Sequence, residues 1–425
     1  MDNRSFVLKG NIYYSKTKTE LAAVEKGYAV CMDGVSEGVF QTLPKEYESL
    51  PYKDCKENLI IPGLTDLHLH APQYTFRGLG MDLELLDWLN TNTFPEEANY
   101  AKLSYAEKAY TAFTEDLKNG ATTRACIFAT VHTEATELLM DKLEKAGLCA
   151  YVGRVNMDRN SPDCLREKSA KQSADDTVSW IEQTQHKYQY VKPIITPRFV
   201  PSCSDELLEQ LGRLAEKYGL PVQSHLSENP GEVSWVKELA PWSEFYGDVY
   251  DRFELFGKET PAIMAHCVYS GEKEIERMKE NGVYIAHCPQ SNTNIASGIA
   301  PVRTYLDADM KIGLGTDIAG GFSSSILRAM ADSIQVSKLR WRIQDETLNP
   351  ISLEEAFYMG TKGGGAFFGN VGSFEEGYAF DAAVLDDSAL ASARELSLRD
   401  RLERAVYMSE ACVVLDKYID GRKIK

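Results

Sequence analysis

The chain has 425 residues, 44% of them hydrophobic and 26% charged, with 63 acidic against 46 basic side chains and a formal net charge of −17. This length suits one large α/β barrel or two ordinary domains with a substantial core. The acidic balance excludes a surface built to neutralise phosphate backbones, so nucleic acid is not expected as substrate or partner, although a buried pocket can carry either sign. Nine scattered cysteines with no Cys-x-x-Cys pair read as reduced, mostly buried thiols. No run of about 18 apolar residues and no basic-then-apolar leader occur, so the protein is expected to be soluble and cytoplasmic, with no membrane partner.

In chain order, residues 1–61 carry short strand-like pieces, Phe6 to Lys9 and Tyr28 to Met32, between polar turns. A strand then ends in Leu67-His68-Leu69-His70, and the alternation of side chains along a strand puts the two imidazoles on one face. From about Ser104, helix and strand alternate. Ser104 to Glu107 reads as a capping box before a helix closed by Asn119-Gly120, and Ala121 to Phe128 follows as a strand. Glu134 to Ala146 is helix-like, Leu148 to Val155 and Val191 to Thr196 are strand-like, and Asp205 to Tyr218 is an amphipathic helix stopped by Gly219. Pro221 to His225, Ile263 to His266, Val283 to His287 and Lys311 to Asp317 are further strands, with a polar helix from Glu272 to Glu280.

Eight strands alternating with helices predict a (β/α)8 TIM-like barrel over residues 62–370, with a doubly wound sheet as the competing fold. Strand-like segments at Ala382 to Leu385, Ala411 to Leu415 and from Tyr418 onward are expected to join the N-terminal ones. The result would be a small discontinuous β-sandwich domain from residues 1–61 and 371–425.

The chain has only seven histidines, and His68, His70, His225 and Asp317 all fall at or just beyond expected strand ends. Three imidazole nitrogens and a carboxylate oxygen suit Zn2+ in a catalytic site, with Fe2+ as the main competitor. Taken singly, His225 also reads as a core histidine and Asp317 as a turn cap. Their joint placement favours a metal. Glu228, three residues after His225, is a candidate proton shuttle, with a solvated loop carboxylate as the plain alternative. His266 is a fifth ligand or, as favoured, a neutral imidazole that steadies an attacking water and the developing oxyanion. His287 is expected just behind the site, and His132 and His186 to be structural or exposed. No Ser-His-Asp order, phosphate-binding loop or dinucleotide fingerprint is present.

The segments from Pro62 to His70 and from Gly313 to Asp317, together with His225 and His266, resemble the amidohydrolase superfamily across essentially the whole chain. Further segments are similar to its guanine deaminase family: His70 to Gly78, Leu86 to Leu89, Thr93 to Glu97, Thr196 to Phe199, His225 to Asn229 and His287 to Asn292. The resemblance implies hydrolysis of guanine to xanthine and ammonia in purine catabolism, by attack of a zinc-bound hydroxide on C2. One zinc would be held by His68, His70, His225 and Asp317, and Asp317, Glu228 and His266 would move or steady protons and charge. Gln73, Arg198, Phe199 and His225 would bind the purine, and a homodimer is implied. Lys192 stands too early in its strand to bridge two metals. The runners-up are another deaminase of the superfamily, acting on an oxidised purine, cytosine, a thiolated adenosine or a halogenated triazine, and a catalytically dead scaffold.

Overall fold

Strands buried on both faces are the signature of a parallel sheet covered by helices, and here Leu64–His70, Val222–Leu226 and Ala262–His266 are buried at every residue, their polar side chains included. The protein is described by a computed structural model that covers residues 4–425. The other expected strands form at Thr122–Phe128, Cys149–Gly153, Val191–Pro193, Tyr284–His287 and Lys311–Leu314. The eight pair in parallel as two four-stranded sheets, each in chain order. Between the sheets runs a parallel bridge from Ile195 to Val222. Beyond the last strand, Asp317 N donates to His68 O at 2.8 Å and His70 N donates to Ile318 O at 3.0 Å. These bonds tie the chain after the eighth strand to the end of the first.

The helices form where capping and apolar spacing predict them. Asp205–Tyr218 starts on Ser204, whose hydroxyl accepts from Leu207 N, and stops at Gly219, which takes the left-handed conformation (φ 62°). One expectation fails in detail: the capping box from Ser104 to Glu107 does not form. The helix runs Leu103–Asn119 with Lys102 as its first half-helical residue and no side-chain cap. Lys102, extended (φ −97°, ψ 106°) after the 3-10 turn Asn99–Ala101, offers its carbonyl to both Tyr105 N and Ala106 N, so the helix is already under way at Leu103 and Ser104 lies inside it.

The two ends of the chain meet in one hydrogen-bonded sheet of seven strands. It includes Val35–Phe40 and Tyr52–Pro62, which the sequence reading passed over, together with Ala382–Asp386 and Val413–Ile419. Its face packs Leu8, Ile12, Ile60, Phe374 and Phe380 as a separate apolar cluster. All nine cysteines are free, and all but Cys164 and Cys412 are buried. No helix among the described residues is long and apolar enough to cross a membrane.

Candidate active site

At the C-terminal ends of the parallel strands the expected ligands converge. His68 and His70 close the first strand, His225 lies in the fifth, His266 ends the sixth, and Asp317 follows the eighth by three residues. The backbone there is bent sharply. Ser227, His266, Cys267 and Asp317 all adopt positive φ without being glycine, a conformation that costs free energy and gathers at functional sites. Gly315 explains part of the Gly-Leu-Gly-Thr-Asp pattern. A Cβ there would lie 3.0 Å from both Cβ and O of His68, so only glycine lets the last strand approach the first this closely. Asp66 holds the same junction, accepting from Thr316 Oγ1 at 2.5 Å, Thr316 N at 3.0 Å and His68 N at 3.2 Å.

Asp317 Oδ1 lies 3.1 Å from His68 Nε2 and 3.4 Å from His70 Nε2, and His70 Nε2 lies 3.2 Å from His225 Nε2. Ligand atoms about 2.0–2.2 Å from one ion stand roughly 3.0–3.5 Å apart, so these separations match the edges of a coordination shell. Two further observations fit a cation. His68 Nε2 is buried with no hydrogen-bond partner. His225 Nδ1 lies 2.6 Å from Arg198 O, and since a carbonyl only accepts, that nitrogen carries the proton and Nε2 keeps its lone pair for a metal. Burial lowers the basicity of His68, and of His70 and His225 further still, which keeps these rings neutral. Burial pushes the Asp317 carboxyl up, but the imidazoles facing it, His68 foremost, outweigh burial and hold Asp317 well below the usual carboxylate range.

Glu228 and His266 stand beside this cluster. Glu228 Oε2 is 3.5 Å from His266 Nε2, which is 3.7 Å from Asp317 Oδ2. Burial drives the Glu228 carboxyl well above its usual range and the facing Asp317 adds to the rise, while Ser297 opposes it. The solvated-loop alternative for Glu228 therefore fails, because the side chain is 5% exposed. His266 donates from Nδ1 to Asn292 Oδ1 at 2.8 Å. His287 is buried behind the cluster with neither ring nitrogen partnered, and burial, then His266, lowers it to about 3. Lys192 turns away, donating to Tyr188 O.

A pocket enclosing about 420 Å³ of space, part of it open to solvent, lies over the cluster. Leu85, Trp88, Leu89 and Phe199 line its apolar side, and Gln73 and Arg198 its polar side. Phe199 packs edge-on against Trp235 with centroids 6.2 Å apart. Arg198 is not free: Nη1 and Nη2 reach Glu97 at 2.5 and 3.1 Å. Glu97 also accepts from Gln73 Nε2 at 3.0 Å, and Gln73 Oε1 accepts from Ala319 N at 3.0 Å. Sequence reasoning assigned no role to Glu97, Asp66, Asn292 or Glu232. Glu97 stands in a quoted segment, but two adjacent acidic residues on a helix read as solvated. Glu232, buried, accepts from Glu228 N at 3.0 Å and Tyr246 Oη at 2.7 Å.

A model of the amidohydrolase family matches residues 59–424. The chain belongs to the amidohydrolase family. Among curated members, the guanine deaminase of Dictyostelium discoideum is 38% identical over 421 residues, covering 92% of this chain and 93% of that protein. The human guanine deaminase is 36% identical over 423 residues, covering 95% and 91%. Among solved amidohydrolases, a guanine deaminase from C. acetobutylicum with guanine bound in its active site superposes with a TM-score of 0.96 at 48% identity, covering 99% of this chain and 100% of that one. The mixed α/β fold and the buried His/Asp cluster are those of a metal-dependent amidohydrolase.

Proposed function

We propose that this chain is a guanine deaminase, hydrolysing guanine and water to xanthine and ammonia. The observation that carries the reading is one pocket lined together by the buried carboxyl Glu228, by His70, His225 and Asp317 of the cluster, and by Arg198 and Gln73. Guanine deaminases similar to the chain across nearly its full length support it.

His68, His70, His225 and Asp317 would hold one divalent ion, zinc with ferrous iron as the competitor. Bound there, such an ion supplies Lewis acidity and lowers the pKa of a water from about 15.7 toward roughly 7. The protein's own groups do the rest. Arg198 and Gln73 direct donors at the purine's oxygen-bearing edge while Phe199 offers an apolar face, so C2 is presented to the attacking water. Asp317 Oδ2 accepts the water's proton. Glu228, kept protonated by burial, donates its proton to the ring nitrogen next to C2. With Nδ1 donating to Asn292, a neutral His266 turns the lone pair of Nε2 toward Glu228 and Asp317 and orients the attacking water by accepting from it. The proton held by Asp317 then passes to the departing amine, and as ammonia leaves the hydroxyl on C2 returns a proton to Glu228, which forms the new carbonyl and restores the acid.

We further propose a closed (β/α)8 barrel over residues 62–370, with 1–61 and 371–425 forming one sandwich-like β-domain, and a cytoplasmic homodimer. Incubating purified, metal-loaded protein with a panel of purines, pyrimidines and nucleosides and following ammonia release tests the substrate. Guanine should be turned over best, and activity confined to cytosine or nucleosides would overturn the assignment while leaving the metal centre standing.

A further inference from the structure

We propose that Glu97 is a positioning residue that makes the pocket read an oxygen, rather than an amino group, at C6 of the purine. The inference rests on the reading of the chain as a guanine deaminase. Glu97 is 1% exposed and does not line the cavity, so it acts through its neighbours rather than on the substrate. Its Oε2 accepts from Arg198 Nη1, and its Oε1 accepts from both Arg198 Nη2 and Gln73 Nε2. One carboxylate thus orients both Arg198 and Gln73.

The consequence is a wall of fixed polarity. A bidentate carboxylate holds the guanidinium plane in one orientation, and the N–H groups it leaves unused are all donors. The sense of the Gln73 amide is set from both ends: Ala319 N–H requires oxygen on one side, and Glu97 requires N–H on the other. With the amide oxygen already accepting from Ala319, what remains for a ligand is mostly donors. A purine with a carbonyl at C6 beside N7 meets them with two acceptors, whereas a 6-amino purine brings a donor and leaves buried groups unpaired, the situation in which polar sites discriminate most strongly. Replacing the carboxylate by an amide would break this pattern. An amide has one acceptor and one donor end, so it cannot accept from Arg198 at both positions and from Gln73 at the same time.

The backbone separates this role from metal binding. Arg198 holds His225 through its main-chain carbonyl and meets Glu97 through its side chain. A change at Glu97 should therefore disturb substrate reading and leave the metal ligands in place.

The test compares guanine with 2,6-diaminopurine, which carries the same 2-amino group but an amino group at C6. Steady-state ammonia release is measured for wild type, Glu97→Gln and Glu97→Asp, with metal content and Tm on each. Where 2,6-diaminopurine turns over too slowly, its inhibition constant against guanine supplies the comparison. Glu97→Gln should keep wild-type metal content, raise KM for guanine more than it lowers kcat, and shrink the guanine preference by about 10-fold or more. Glu97→Asp, which keeps the charge on a shorter stem, should fall between wild type and Glu97→Gln. It decides the matter by itself if Glu97→Gln does not fold: a preference reduced about 3-fold or more supports the role, and an unchanged preference overturns it. Equal slowing of both purines through kcat would mean a merely structural carboxylate and overturn the proposal. A wild-type enzyme inert toward guanine would overturn the underlying reading as well.

Discussion

His70 reaches the cluster from inside a buried strand, whereas Arg198 reaches the cavity from a loop, between the two-residue strand Thr196–Pro197 and the 3-10 turn Val200–Ser202. The metal-facing wall is aimed by backbone: strand ends, hydrogen bonds from Asp317 N to His68 O and from His225 Nδ1 to Arg198 O, and a glycine where the strands approach. The purine-facing wall is aimed by side chains, with Glu97 joining Arg198 and Gln73. A ligand set built on strands tolerates little displacement and serves any reaction that needs the ion. A side-chain clamp can be retuned by a few substitutions, and that is where the proposed function puts substrate choice.

The largest effect that would break this contrast is at the metal wall. His225→Ala should leave less than about a tenth of an equivalent of tightly bound metal and lower turnover by about 10⁴-fold or more, since without the ion the water's pKa returns toward 15.7. Metal analysis beside ammonia release checks it. Glu228→Gln should retain the metal and lower kcat by about 10² to 10⁴-fold, the range for a general acid. Wild-type-like turnover in that variant would remove Glu228 from the mechanism.

On the purine wall, Arg198→Lys keeps a charge but loses the fork that spans both Glu97 oxygens. The guanine kcat/KM should fall by about 10- to 100-fold, chiefly through KM, with metal content unchanged. Loss of metal in that variant would show that the two walls are not separable.

The smallest effect lies far from both walls and serves as their control. Lys417 is buried, donating to Leu117 O and Gly120 O at the end of the helix Leu103–Asn119, and burial depresses it to about 7 from 10.5. Between those values the unfolded chain binds the proton and the folded chain does not. Stability is therefore lost as pH falls from 10.5 toward 7 and is level below. Relative to Lys417→Met, the wild-type Tm should rise by about 2 °C or more between pH 7 and pH 10, read by thermal melts. A constant difference would place the lysine charged throughout.

The parts legible in the sequence were short-range. Alternation placed His68 and His70 on one face before any fold was known. Apolar runs marked eight strands, and the histidines and aspartate at or just beyond their ends come together in one buried cluster. Ser204 and Gly219 marked the ends of the helix Asp205–Tyr218, where the local caps operate. Ser104 failed the same test because the helix begins one residue earlier, at Leu103, with the Lys102 carbonyl accepting its first bonds.

The rest depended on what meets across the fold. Glu97 and Arg198 are 101 positions apart, and nothing local distinguishes a glutamate buried against an arginine from one facing water. The strand Tyr52–Pro62 mixes charged and apolar residues, and it becomes a strand through pairing with both Phe6–Ser15 and Ala382–Asp386. Periodicity and strand ends are written in neighbouring residues, so the ligands could be named from the chain alone. The polarity of the purine wall is set by hydrogen bonds among Gln73, Glu97, Arg198 and Ala319, four residues from distant segments that become partners only when packing removes the water each would otherwise bond.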